Sequence, residues 1–289
     1  MFGLLNFREN AKKLNDLTYT DYYYRLMLLA RSIFKWENLP DGMDEKWIEK
    51  YLYSEGRAIF YKHPSLGLMV SKCTLSGNLN HYDEPTELLP VFISCVDTPD
   101  VKPLKNNTEC VLMRNNDSMM PTFYTINLYA LRLTEIQRAI DININAQKTP
   151  ILIKCSEKQK LSLKQVYTQW NGFEPVIYGD KNLDTTGIEA LKTDAPVVFD
   201  KLQIQKHSVW NEVMTFLGIN NANMDKRERL VDDEVQANNE QIELSADVML
   251  KSREKACEQI NKLFRTNISV RRRTAQELKE TMLEGVVDA

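Results

Sequence analysis

Residues Ile126 to Gln147 form the first strong amphipathic stretch of this sequence, with Tyr129, Leu133, Ile136, Ile140 and Ile144 recurring at spacings of three and four. That period puts all five on one face of a helix, and at ~1.5 Å per residue the helix is roughly 33 Å long. Thr149 and Pro150 end it, because proline lacks an N–H and disfavours helical backbone in the residue before it. A second helix is expected from about Asp200 to Leu217, with Leu202, Val209, Val213 and Phe216 inward and Gly218 as its C-terminal stop. Between the two, "PILIK" and "PVIY" read as strands, and "SLKQVYTQW" reads as a short helix with Ser162 and Gln165 at capping-box spacing. The resulting plan is a helix that leaves, a small mixed module, and a helix that returns.

Other elements flank this plan. Residues 10 to 37 read as a helix with Tyr22, Leu26, Leu29, Ile33 and Trp36 on one stripe, stopped by Pro40. Asp44 to Glu55 makes a shorter helix ended by Gly56, and the runs "AIFY", "GLMV", "LLPVFISC" and "ECVLM" from Arg57 to about Pro121 read as strands and loops. Asn220 to Asp247 is polar and charge-dense, so by itself it buries little surface. A final helix is expected from Val248 to Phe264, then the strand-like "NISV", the basic triplet Arg271 to Arg273, and a helix-compatible tail from Ala275 to Leu283. The fold class is α+β.

Length and charge narrow the function. At 289 residues the chain has room for two or three modules, or for one body with an insertion. The longest apolar candidate for a membrane span, Tyr22 to Ala30, is interrupted by Arg25, and no signal pattern opens the chain, so synthesis in the cytoplasm is expected. Five cysteines (Cys73, Cys95, Cys110, Cys155, Cys257) are scattered with no CxxC spacing and read as buried or neutral thiols. A formal charge of -3 disfavours a continuous basic groove that grips nucleic acid, but leaves room for a ring that surrounds it.

Catalytic signatures are sparse. There is no GxxxxGK[ST], GxGxxG or GxSxG, and His63, His81 and His207 lie far apart without ligand spacing, so no nucleotide-driven motor, cofactor or metal is expected. A metal-dependent nuclease is the best enzyme alternative, resting on Pro99-Asp100 and Glu277-Leu278-Lys279. Asp232, Asp233 and Glu234 resemble a metal cluster, but a run of like charges in a polar segment is usually solvated.

Eight segments occur in one order and spacing: "FKWENLP" (Phe34 to Pro40), "NAQKTP" (Asn145 to Pro150), "LSLKQVY" (Leu161 to Tyr167), "KTDAP" (Lys192 to Pro196), "VWNEVMTFLGI" (Val209 to Ile219), "DEV" (Asp233 to Val235), "EQIE" (Glu240 to Glu243) and "LKSREKACE" (Leu250 to Glu258). Together they resemble the upper collar, the head-tail connector or portal protein, of Picovirinae-type short-tailed bacteriophages. The resemblance runs from about residue 30 to about residue 270, densest from 140 to 265 and thin from 78 to 125.

The resemblance implies a portal fold assembled as a homo-dodecameric ring through which double-stranded viral DNA is packaged and ejected. It divides the chain into a wing (1–125), stem helix 1 (126–149), a clip (150–199), stem helix 2 (200–218), a channel loop (219–247) and a return to the wing with a C-terminal tail (248–289). It puts the channel-facing basic positions on Lys192, Lys201, Lys226 and Arg227, and the channel loop on Asn221 to Asn238, which includes Asp232, Asp233 and Glu234. Implied partners are the major capsid protein, scaffold, packaging ATPase and lower collar or tail proteins, in the virion and away from membranes. The chain opens "MFGLLNFRENAKK" with only Arg8, Lys12 and Lys13, unlike the dense basic run of the best-known members, which leaves contact with a packaging RNA doubtful. The other structural alternative is a tail or lower-collar protein that never meets DNA.

Overall fold

The computed structural model describes residues 2–92, 102–147, 151–153, 188–190, 196–219, 232–274 and 276–278. The chain divides into two compact units, Met1–Glu135 with Lys206–Ala289, and Ile136–Gln205.

The first unit opens with helix α1 (Phe2–Arg31) and strand β1 (Phe34–Glu37). The helix expected to reach residue 37 therefore stops early. From Phe34 the apolar period changes from helical spacing to alternation, with Phe34 and Trp36 buried, and the strand pairs with β9 (Ser269–Arg272), so that Trp36 faces Val270. That partner lies too far away in sequence for any local pattern to reveal it. Helix α2 (Glu45–Glu55) starts where the Asp44 carboxylate accepts from the Lys46 N–H. It ends at Gly56, whose φ of 72° is the left-handed conformation that glycine adopts without cost.

Five strands follow: β2 (Arg57–His63), β3 (Gly67–Leu79), β4 (Pro85–Val91), β5 (Leu104–Lys105) and β6 (Cys110–Arg114). They form one antiparallel sheet in the order β5-β4-β3-β2-β6. An isolated bridge from Asn106 to Cys110 brings the end of β5 back to β6, so the sheet curls on itself. Alternation along the strands gives the curl its core, formed by Ile59, Tyr61, Cys73, Leu88, Cys110 and Leu112. On the other face of β2, Phe60 meets Phe264 with ring centroids 5.4 Å apart.

Phe264 ends the long helix α5 (Asp232–Phe264). The helix expected from Val248 thus begins sixteen residues earlier, inside the polar segment. Residues 232 to 247 hold few apolar side chains but are rich in glutamate, glutamine and alanine, which favour helix without any apolar stripe to announce it. Helix α3 (Phe123–Gln147) and helix α4 (Phe199–Phe216) agree closely with the two expected long helices. Within the second unit, β7 (Ile151–Ile153) pairs antiparallel with β8 (Ile188–Ala190). The first of these is the expected "PILIK" strand, whereas "PVIY" and "SLKQVYTQW" lie outside the described residues.

Candidate functional site

Of the four basic residues expected on a channel, Lys201 is described. It lies in the first turn of α4 and is exposed. Its helix is held at the start by Asn143 of α3, whose amide Nδ2 donates to the Pro196 carbonyl at 2.9 Å and whose Oδ1 accepts from the Val198 N–H at 3.1 Å. One side chain thus satisfies both polar groups of the approach to α4 and fixes where Lys201 emerges. Asp200, Gln205 and Ser208 share its exposure, and so do Val197, Phe199 and Ile204, so the outward surface here mixes polar and apolar side chains.

Lys192, Lys226, Arg227 and Asn221 lie outside the described residues. Asp232, Asp233, Glu234 and Asn238, expected in a loop, have helical backbone in the first two turns of α5.

In the first unit, α3 and α4 are joined by Tyr129, whose hydroxyl donates to Glu212 Oε1 at 2.7 Å. Burial, and then the Glu212 carboxylate it faces, push the phenol up to about 12. Arg132 stands 3.9 Å from the same carboxylate and 5.6 Å from the Tyr129 ring centroid. The second helix stops in a Schellman turn, in which the Ile219 N–H donates to Met214 O and the Gly218 N–H to Thr215 O. Gly218 has φ 72°, and Arg272 donates to its carbonyl.

The basic triplet has internal duties. Arg271 pairs with Glu37 and Glu277, Arg272 holds Gly218, and Arg273 pairs with Glu45 while donating to Ser32 O and Phe34 O. Hydrogen bonds from Arg271, then from the Thr274 N–H, hold the Glu277 carboxyl far below its usual range. Glu277 is therefore committed to a salt-bridge network with Arg271 and Lys35, and its proposed nuclease partners Asp100 and Lys279 lie outside the described residues. Cys73, Cys110 and Cys257 are buried free thiols, and burial raises each of them. Among the described residues, no three His, Cys, Asp or Glu side chains group to hold a metal ion, and no helix is long and apolar enough to cross a membrane. A groove of about 590 Å³ beside β4, β6 and α5 is lined by charges that already face one another, Arg114 with Glu84 and Lys255 with Asp117.

This fold is similar to that of a solved phage portal. The solved portal and tail of native bacteriophage P68 covers 97% of this chain and 95% of its own at 16% identity, with a TM-score of 0.53. A chain from the virion of a native gene transfer agent particle aligns over 93% of this chain and 85% of its own, at 7% identity and a TM-score of 0.48. An HK97-family portal protein from Corynebacterium diphtheriae aligns over 90% and 93%, at 9% identity and a TM-score of 0.41. The fold is that of a phage portal protein. The model of the Phage Connector (GP10) family matches residues 6–277, and the chain belongs to that family. It is a portal subunit, a structural protein of the phage virion that connects head and tail.

Proposed function

We infer that twelve copies of this chain form a closed ring whose axial channel passes double-stranded viral DNA during packaging and ejection, and that the chain itself catalyses no reaction. One observation carries the ring: large apolar side chains stand in solvent on helices that already bury another face. Leu14, Leu17, Tyr24 and Leu28 do so on α1, and Tyr124, Leu128 and Leu131 on α3. Apolar surface of this extent on a single subunit marks an interface. The family supports the same reading, and so does the sparse charge around Lys201. In a ring one lysine becomes a circle of like charges, and a dense basic lining would hold DNA through counterion release instead of letting it slide.

Lys192, Lys201, Lys226 and Arg227 are proposed to face the DNA. Asn221 to Asn238 is proposed to restrain it, now as a segment whose C-terminal part belongs to α5. Partners of the assembled ring are proposed to be the major capsid protein, scaffold, packaging ATPase and lower collar or tail proteins. Electron microscopy of the purified protein tests the central claim: twelve-fold rings with an open axis support it. A monomer at all concentrations, or a closed particle without a channel, overturns it in favour of a tail component.

A further inference from the structure

Strand β6 lies at the edge of its sheet, with β2 on one side and no strand of the ladder on the other. Just past its end the Asn115 N–H donates to Gly56 O at 2.9 Å, and in an antiparallel pair such bonded positions alternate with unbonded ones. Met113 and Val111 therefore bond to β2, whereas the N–H and C=O of Leu112 and Arg114 point away from it. Cys110 obeys the same alternation, since its carbonyl is turned outward to accept from the Asn107 N–H at 2.8 Å. Among the described residues nothing bonds to the outward main-chain groups of Leu112 and Arg114. Both residues line the groove of about 590 Å³, whose other walls are Glu84 to Glu87 and the α5 residues Ser252, Lys255 and Ala256. At Cys110 the curled sheet closes main chain to main chain on Asn106, but at Arg114 only a side chain reaches across, to Glu84. The groove is thus a slot that widens along the free edge of β6.

We propose that this slot takes an extended segment of a partner protein of the virion, paired as an added strand with Leu112 and Arg114. The walls select a polypeptide. Arg114 faces Glu84, Lys255 faces Asp117, and Glu87 stands opposite Lys105 in the β4–β5 pairing, so a nucleic acid meets no uncommitted cluster of positive charge. Asn80, Asn107 and Gln259 on the same walls disfavour an apolar ligand. What stays unmet is an alternating row of main-chain donors and acceptors, and an extended chain carries the complementary row. Roofed by α5, the slot admits a single segment and not the edge of another folded sheet. The occupant is a different protein, because every strand among the described residues already pairs within its own subunit and a second copy has none to lend. Its paired residues are not proline, since each donates its N–H.

Residue-resolved hydrogen exchange on the purified protein and on complete virions tests this. In the purified protein, monomer or ring, the amides of Leu112 and Arg114 should exchange about a hundredfold faster than those of Val111 and Met113 beside them, and in virions they should slow about tenfold or more. Unchanged exchange in virions overturns the docking. Slow exchange already present in rings of the purified protein gives the slot to a second copy and overturns the partner. A pair of variants separates main chain from side chain: Arg114→Pro and Arg114→Ala both lose the ion pair with Glu84, but only the first removes the outward N–H, which the β2 ladder does not use. Both should keep the far-ultraviolet circular dichroism of wild type, and the yield of complete virions should fall about tenfold further for Arg114→Pro. Equal yields overturn the docking, and if Arg114→Pro does not fold, the exchange comparison on wild type decides alone.

Discussion

Arg253 and Glu49, far apart in sequence, form a two-point ion pair inside the first unit, with Nε to Oε1 at 2.9 Å and Nη2 to Oε2 at 2.8 Å. Both side chains are 3% exposed. Glu49 Oε1 also accepts from the Trp36 indole at 2.9 Å, and Arg253 donates to Asn115 Oδ1, Asn115 O and Met249 O. The guanidinium carbon lies 4.1 Å from the Phe34 ring centroid. Asn115 in turn donates to Thr122 at the start of α3, so α5, α2, β1 and the approach to α3 meet at one guanidinium.

Removing one partner leaves the other buried and charged. Arg253→Met is expected to destabilise the subunit by about 3–5 kcal/mol, as is usual for half of a buried pair. Urea unfolding followed by tryptophan fluorescence measures it. A loss below about 1 kcal/mol would mean that water reaches Glu49 in the variant and the node is not rigid.

Two glycines carry backbone constraints of different weight. A Cβ at Gly56 would lie 2.0 Å from the Met119 carbonyl oxygen, on backbone that cannot move aside. Gly42 has an even more positive φ of 80° but open space around it. Gly42→Ala is expected to cost about 1 kcal/mol from conformation alone. Gly56→Ala should cost several times that or give insoluble protein. Thermal melts of the two variants side by side decide the matter, and equal melting temperatures would contradict the packing at Met119.

How much of this was legible in the sequence depends on the range of the interaction. Gly56 and Gly218 announce helix ends, and Tyr129 and Leu133 announce the buried face of α3, because those effects act within a few residues. The β1–β9 pairing, the Arg253–Glu49 pair and the duties of Arg271 to Arg273 join opposite ends of the chain, and no local spacing encodes them. The start of α5 was missed for another reason: helix propensity without amphipathicity looks the same as a polar loop. At the candidate site, sequence spacing put Lys201 correctly on a helix. The direction it faces in a ring is a property of symmetry, which one chain does not display.

The buried thiols give a pH dependence with a definite sign. Burial raises Cys73 from 9.0 to about 11, and Cys110 and Cys257 to about 12. Each folded thiol holds its proton when the unfolded one has lost it, so the unfolded state is favoured as pH rises. The thiols' contribution to stability should be level below about pH 8 and fall through the window from 9 to about 12, with Tyr129 adding to the loss above 10. Denaturant midpoints between pH 7 and pH 10.5 check this. In the native protein at pH 8 these three thiols should react with a thiol reagent only after unfolding, and rapid native labelling at any of them would contradict their burial.

Lys192, Lys201, Lys226 and Arg227 are expected to act on DNA in passage and not on ring assembly. Lys201 is exposed in the first turn of α4. A circle of charges touches few phosphates at once, so each contact is weak, and the effect of neutralising one position should grow as salt falls. Replacing all four by alanine should leave rings intact in electron micrographs while changing the rate of translocation or the DNA retained in filled heads. Deleting Asn221 to Val231, and so sparing α5, separates the restraint from the lining: retention should fall while translocation continues. The deletion should lower retention more than Lys201→Ala does, because it removes both Lys226 and Arg227 where the single substitution removes one charge. Rings that fail to form in the quadruple variant would move these residues to the subunit interface. Rings that form and then package and retain DNA like wild type would make all four ordinary surface charges.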